Sequence, residues 1–397
     1  MKITDLKVAI IGNAPVVRIT TDEGIDGVGA GETAKPYLKP MVEFYRDMIV
    51  GKDPTDVERV MLGIRRMGSF KPWGTAVSAI EMALWDIAGK AAGVPTYKLL
   101  GGKIRDKVQV YNGNVRYERE GSEPEHFAAD MQKMKDHPYN FSIIKQAVSF
   151  HGGMHRTMDN FYYGTPVTKG RYPNRGTITP KGFKYLLKCV EAMLDVLGDD
   201  VGLALDCGPG MTVPDALKLA KELEGSNIMW LEDMVTGDYS PFVLADLYKQ
   251  ITPYTSTPIH TGEQIYLRQN FVELIERNAV NVLGPDVADV GGIAEMKFIA
   301  EYADLHGILF APHGTFDGLI GLAVQTHMAA VLPENYIAFE LPQAKPEWWL
   351  DIMEGGEQFA VTDSHIDVPS TPGLGLTFIP EEAEKYLREE DADFFDD

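Results

Sequence analysis

Residues 285–314 read PDVADVGGIAEMKFIAEYADLHGILFAPHG. The ends of this stretch complete two short apolar runs, VNVLGPD (280–286) and ILFAPH (308–313), and each run carries an ionisable residue near its end, Asp286 and His313. Between them Ile293, Met296, Ile299 and Ala303 recur at helical spacing, while Glu295, Lys297 and Glu301 fall off that stripe. The stretch is a strand–helix–strand crossover. It sets an acid and an imidazole, 27 positions apart, near the carboxyl ends of neighbouring parallel strands. In a barrel built from such units, chemistry sits on that rim.

The same pattern recurs outward in both directions. Apolar strands are predicted at VQVYNGNV (108–115), FSIIKQAV (141–148), VGLALDCG (201–208), NIMWLEDMV (227–235) and PIHTGEQ (258–264), and again at YIAFELP (336–342). Helix-period segments separate most of them, and eight strands with parallel crossovers indicate a TIM-type α/β barrel rather than an open sheet. Residues 1–125 do not alternate in this way. KVAIIG and VVRITTDEGIDGVGAGE read as antiparallel strands with DEGIDG as the turn, followed by helices. One helix is expected over Thr75–Ala92, with Val77, Ile80, Leu84 and Ile87 on one face, Gly93 as its stop and Pro95 beyond it. The expected organisation is an α+β lobe over 1–125, completed by about 365–397, and a barrel over 126–364.

The chain has 397 residues, 37 basic and 58 acidic, for a net charge of −21. That balance argues against nucleic acid or an anionic membrane as partner, though a bound divalent metal can reverse the field locally for a small anion. Two cysteines, Cys189 and Cys207, make no disulfide framework. The first residues lack a secretory pattern and no apolar run is long enough to span a bilayer, so a cytoplasmic enzyme is expected, working as a homo-oligomer. The acidic tail EEAEKYLREEDADFFDD reads as a solvated, fraying helix.

Three further strand ends carry acids: Asp206 in LALDCG, Glu232 in MWLEDM and Glu263 in HTGEQ. One such acid is explained by a salt bridge or by solvent. Three on successive strands converge at the rim, where carboxylates crowded together do not all stay ionised without a cation. Oxygen ligands with no Cys or His among them favour Mg²⁺ over zinc.

The chain resembles the enolase superfamily, in its mandelate racemase/muconate lactonizing enzyme group. The likeness is carried by VSAIEMALWDIAGKAAGVPTYKLLGG, the acids of LALDCG, WLED and TGE, PDVADVGG with APHG, and PSTPGLGLTF. It implies an α+β capping domain on a (β/α)7β barrel and Mg²⁺ held by Asp206, Glu232 and Glu263. It also implies that His313 is a catalytic base or acid oriented by Asp286, and that Glu340 in AFELP lies beside the substrate. The shared chemistry of the family is removal of a proton next to a carboxylate, with the metal stabilising the enolate.

On the second strand many relatives carry Lys-x-Lys, both lysines facing inward. This chain has IIKQAV, where Lys145 stands at the first position with Ala147 at the second, or at the second with Ile143 at the first. Galactonate and mannonate dehydratases of the superfamily have a His two residues after the third-strand Asp, where this chain has Gly208, which disfavours those two activities. The spacing from Glu232 to Glu263 is 31 against 26 from Asp206 to Glu232, read as a longer loop around VTGDYSPF. The long connection 150–176, rich in Gly, Tyr and His, is expected to cover the substrate. His260 and His306 read as structural, and His151 and His155 as candidates for substrate contact. The expected activity is Mg²⁺-dependent dehydration of a sugar acid or related polyhydroxy carboxylate. A racemase or epimerase of an α-substituted acid is the alternative, and a non-catalytic carboxylate-binding barrel is a third reading.

Overall fold

The computed structural model describes residues 1–32, 35–68, 71–164, 175–235, 244–314, 318–341 and 348–396. The first lobe opens with an antiparallel sheet of β1 (Ile3–Ile11), β2 (Ala14–Thr21) and β3 (Gly27–Ala30). The predicted turn joins β2 to β3. The long helix of this lobe runs Lys71–Ala92, four residues earlier than its sequence pattern, and Val77, Ile80, Leu84 and Ile87 are fully buried. They pack with Val17, Ile19 and Val60 in a core of their own.

The barrel strands are β4 (Lys107–Tyr111), β5 (Ile143–Ala147), β6 (Gly202–Asp206), β7 (Ile228–Glu232), β8 (Ile259–Thr261), β9 (Val282–Leu283), β10 (Leu309–Phe310) and β11 (Phe339–Glu340). β5 to β10 pair in parallel, in sequence order, and β11 pairs in parallel with β4. Backbone hydrogen bonds close both remaining gaps. Asn112 N–H donates to Ile143 O (3.0 Å) beside β4, and Ile337 N–H donates to Phe310 O (2.8 Å) ahead of β11. Helices follow the strands, among them Pro124–Lys135, Pro180–Leu197, Val213–Glu222, Ile293–Leu305 and Gly318–Ala329, and the ring ends on a strand: a (β/α)7β barrel. Inside the ring Tyr111, Ile143, Ala204, Trp230, Val282, Ala311 and Ala338 fill the floor. Trp230 lies edge-on to Tyr111 and stacks on His260.

Two expectations need correction. β4 belongs to the ring although it precedes residue 126, because only its upper half meets β5 and β11. Its lower half pairs antiparallel with the strand His365–Asp367 returning from the far end of the chain. Glu295, although off the apolar stripe of its helix, is buried where Arg268 and Arg65 meet it. The tail is no solvated helix. Asp391 is buried and accepts from Ile10 N–H at 2.8 Å, and Phe394 is buried beside it.

The lobes are joined by a polar ladder. Thr75, Ser78 and Glu81 project from one side of Lys71–Ala92 at three-residue intervals. Thr75 Oγ1 donates to Asp289, Ser78 Oγ accepts from Gly291 N–H (3.0 Å), and Glu81 accepts from the N–H groups of Ile293 (2.7 Å) and Ala294 (3.0 Å). Gly292 must be glycine here: its φ is +105°, and a Cβ would fall 2.3 Å from the Glu81 carboxyl carbon. The segment so gripped begins three residues after Asp286.

Candidate active site

Parallel register brings the strand-end residues together. Asp206 lies opposite Glu232, Ala147 opposite Asp206, and Lys145 one inward layer lower, opposite Ala204. Ile143 lies in the apolar floor, so Lys145 is the cation of this strand, with Ala147 above it at the rim. Its ammonium sits between Glu232 Oε1 (2.9 Å) and Glu340 Oε2 (3.0 Å), with Asp206 Oδ2 at 3.9 Å. Lys145 is 2% exposed, Glu232 0% and Glu340 2%, so these charges depend on one another. Burial opposes its charge, yet Glu232 and Glu340 hold the ammonium well above its ordinary range. Burial likewise works against Glu232, but Lys145, then His260 and His313, keep it far below the usual carboxylate range.

Asp286 and His313 form the dyad that the family resemblance implies. His313 Nδ1 is 2.7 Å from Asp286 Oδ2, and the other Asp286 oxygen accepts from Ala288 N–H at 2.7 Å. With the carboxylate fixed at both oxygens, the ring has one orientation and Nδ1 carries a proton. Nε2 then faces the rim, 3.1 Å from Glu263 Oε2 and 3.5 Å from Glu340 Oε2. Against the penalty of burial, Glu263, Glu340 and Asp286 raise His313 well above its ordinary value.

Glu340 is the hub that sequence alone does not fully reveal. Besides Lys145 and His313, it receives Asn114 Nδ2 (3.2 Å), Gly314 N–H (3.4 Å) and Tyr111 Oη (3.4 Å). Asn114 and Tyr111 are additions to the expected set. Asp233 is another: it accepts from Thr261 Oγ1 at 2.5 Å, and burial, with Glu263 and Glu232 nearby, raises it well above the usual range.

The three expected metal ligands share this rim. Among the described residues no group of three His, Cys, Asp or Glu side chains is gathered tightly enough to hold a metal ion. Glu232 is turned to Lys145, Glu263 to His313, and Asp206 towards His151 Nδ1 at 3.5 Å. The donor chemistry nevertheless fits a hard cation. Among the described residues Asp206, Glu232, Glu263, Glu340 and Asp286 converge on Lys145 and His313, and burial with Glu232 lifts Asp206 to about 6 even with His151 beside it. That is the mark of a site short of positive charge.

His260 is buried, stacks on Trp230 and lies 3.3 Å through Nε2 from Ala311 O, which makes it a support for the Glu232 strand. His306 caps the end of Ile293–Leu305. His155 is buried against Phe150 and Tyr162. The ends of the 150–176 connection are packed, with Phe150 and Phe161 in the core, while 165–174 lies outside the described residues, as do 236–243 of the VTGDYSPF loop. Gly208 has φ +59°, and a Cβ there would come 2.5 Å from His151 Cβ. No imidazole fits at 208, and His151 fills that side of Asp206.

Comparison with known proteins agrees with this geometry. Residues 8–101 match the mandelate racemase/muconate lactonizing enzyme N-terminal domain, and residues 174–383 match the enolase C-terminal domain-like family. A D-xylonate dehydratase of Haloferax volcanii is 31% identical over 98% of this chain and 89% of its own. A D-mannonate dehydratase of Caulobacter sp. is 32% identical over 80% of this chain and 78% of its own. A solved mandelate racemase/muconate lactonizing enzyme-like protein from Rubrobacter xylanophilus superposes with a TM-score of 0.82 at 29% identity, covering 98% of each chain. With the capping lobe, the barrel and the rim of acids all in place, the chain belongs to the enolase superfamily, in its mandelate racemase/muconate lactonizing enzyme group.

Proposed function

We propose that this enzyme is a Mg²⁺-dependent dehydratase, a hydro-lyase acting on a sugar acid or a related polyhydroxy carboxylate. The observation that carries the reading is one oriented imidazole, His313 on Asp286, aimed across Glu340 at Lys145 inside a ring of carboxylates. The names of the dehydratases it resembles support the same reaction class.

Asp206, Glu232 and Glu263 would hold the ion, whose charge would favour binding of the substrate carboxylate and loss of the α-proton. Lys145 adds a second positive charge on the floor of the site. Glu263 is the strongest influence raising His313, so engaging Glu263 elsewhere brings the imidazole towards a working range in which it exchanges protons. Neutral His313 takes the α-proton at Nε2. The resulting imidazolium, steadied by Asp286, gives that proton to the departing β-hydroxyl, which leaves as water. One proton is taken and one returned, and an enol that becomes a 2-keto-3-deoxy acid remains. Two free, buried cysteines accord with a cytoplasmic location.

The position of Lys145 and His313 on either side of Glu340 also supports a second reading, epimerisation between two opposed bases. Incubation with acid sugars in D₂O separates the two. Dehydration accumulates a keto acid, which His313→Asn abolishes. Deuterium gained at the α-carbon with inversion, and no keto acid, would establish the epimerase instead.

A further inference from the structure

Beside the rim, between the connection after β4 and the start of the connection after β5, lies a cavity of about 620 Å³. Its lining includes Arg116, Arg119, Asp130, Gln146, Ala147 and His151. Asp130, on the helix Pro124–Lys135, is only 7% exposed, and among the described residues its Oδ1 has no hydrogen-bond partner. A buried acceptor left open is unfavourable unless something fills it. The two guanidinium groups are anchored from behind: Arg116 Nε donates to Gly113 O (2.9 Å) and Arg119 Nε to Gly121 O (3.0 Å). Among the described residues their terminal amino groups make no hydrogen bond, so they remain as donors. The cavity borders the reaction centre through Ala147 and His151. Ala147 is level with Asp206, and His151 lies 3.5 Å from it.

We propose that this cavity binds the distal, hydroxyl-bearing end of the substrate and so selects its chain length. The proposal rests on the sugar-acid reading above. A hydroxyl both donates and accepts, so one group satisfies the open Asp130 oxygen and a guanidinium together. An apolar tail would leave all three charged groups without partners. The missing inward lysine also matters here, because Ala147 leaves the passage from the rim open where a long side chain would narrow it.

The test is kinetic. Four-, five- and six-carbon aldonic acids are compared with the unaltered enzyme, Asp130→Asn and Arg116→Gln, reading kcat and KM separately. The expected result is that the ratio of six-carbon to four-carbon KM rises roughly tenfold or more in the variants, with the change in KM rather than kcat. Arg116 is exposed on a loop, so its variant decides the matter should Asp130→Asn fail to fold. Turnover with a length-independent change in KM would overturn the subsite alone. No turnover of any acid by the unaltered enzyme would overturn the functional reading and the subsite with it.

Discussion

Lys145 shows how the candidate site balances its charge. A lysine with 2% exposure is tolerable only because Glu232 and Glu340 flank it, and those acids are tolerable only because it is there. Lys145→Met leaves two buried carboxylates facing each other, a loss of about 3 kcal/mol or more. A cation binding the same acids restores part of that loss. Added Mg²⁺ is therefore expected to raise the melting temperature of Lys145→Met by more than that of the unaltered protein, and to raise Glu232→Gln by much less. Equal Mg²⁺ stabilisation of Glu232→Gln and the unaltered protein, measured by calorimetry, would remove Glu232 from the proposed ligand set. The strand-end acids were legible because a carboxylate closing an apolar run is locally out of place. Asn114 and Tyr111 carried no such signal: polar or aromatic residues near a strand end are ordinary, and only the closure of β11 onto β4 turns them towards Glu340. The level of Lys145 was open for the same reason, since alternation fixes its face and only the neighbouring strand fixes its depth.

At the scale of elements, the helix Lys71–Ala92 does two jobs with two faces. Its apolar face was plain from Val77, Ile80, Leu84 and Ile87. Its polar ladder was hidden, because Ser78 and Glu81 within a helix look like solvent-facing residues until the 289–294 segment is placed against them. Glu81 is the central rung, fully buried at the start of Ile293–Leu305. Burial raises it to about 7, against the pull of Ala294 and Ile293 N–H, Trp85 and Arg65. An acid raised above its unfolded value keeps its proton longer in the folded state. Below about pH 4.5 both states hold the proton, so the contribution is fully present; from there to about pH 7 only the folded state does, and stability falls as pH rises. The full span is on the order of 3 kcal/mol. Glu81→Gln is expected to flatten the decline in melting temperature between pH 5 and pH 7. An unchanged slope would show that Glu81 is already ionised when folded, held so by the helix start.

Over the whole molecule, the chain returns repeatedly to where it began. His365–Asp367 pairs with the first barrel strand, and Leu374 N–H donates to Asp86 Oδ1 (2.7 Å), whose other oxygen accepts from Val28 N–H in the first sheet (3.0 Å). The last residues then lie along β1. The closing segment around 369–378 was legible by its resemblance, but the tail was misread because its composition is dominated by acids. In a chain of net charge −21, a run of carboxylates is ordinarily a solvated surface. Position separates them. Asp391 is 1% exposed, accepts from Ile10 N–H and is paired with Lys39, whereas the Asp393 side chain is exposed and only its carbonyl is used, by Lys7 Nζ at 2.7 Å. Asp391→Ala leaves a buried N–H without a partner and Lys39 with Glu43 alone at 3.7 Å as its ion-pair partner among the described residues, a loss of about 1–3 kcal/mol. Asp393→Ala removes nothing the fold uses, and like most exposed changes should stay within about 0.5 kcal/mol. Denaturant midpoints for the two variants should therefore differ, with faster amide exchange at Ile10 in Asp391→Ala alone. Equal midpoints would mean that the tail is held by Phe394 and the backbone contacts, with Asp391 contributing no more than its neighbours.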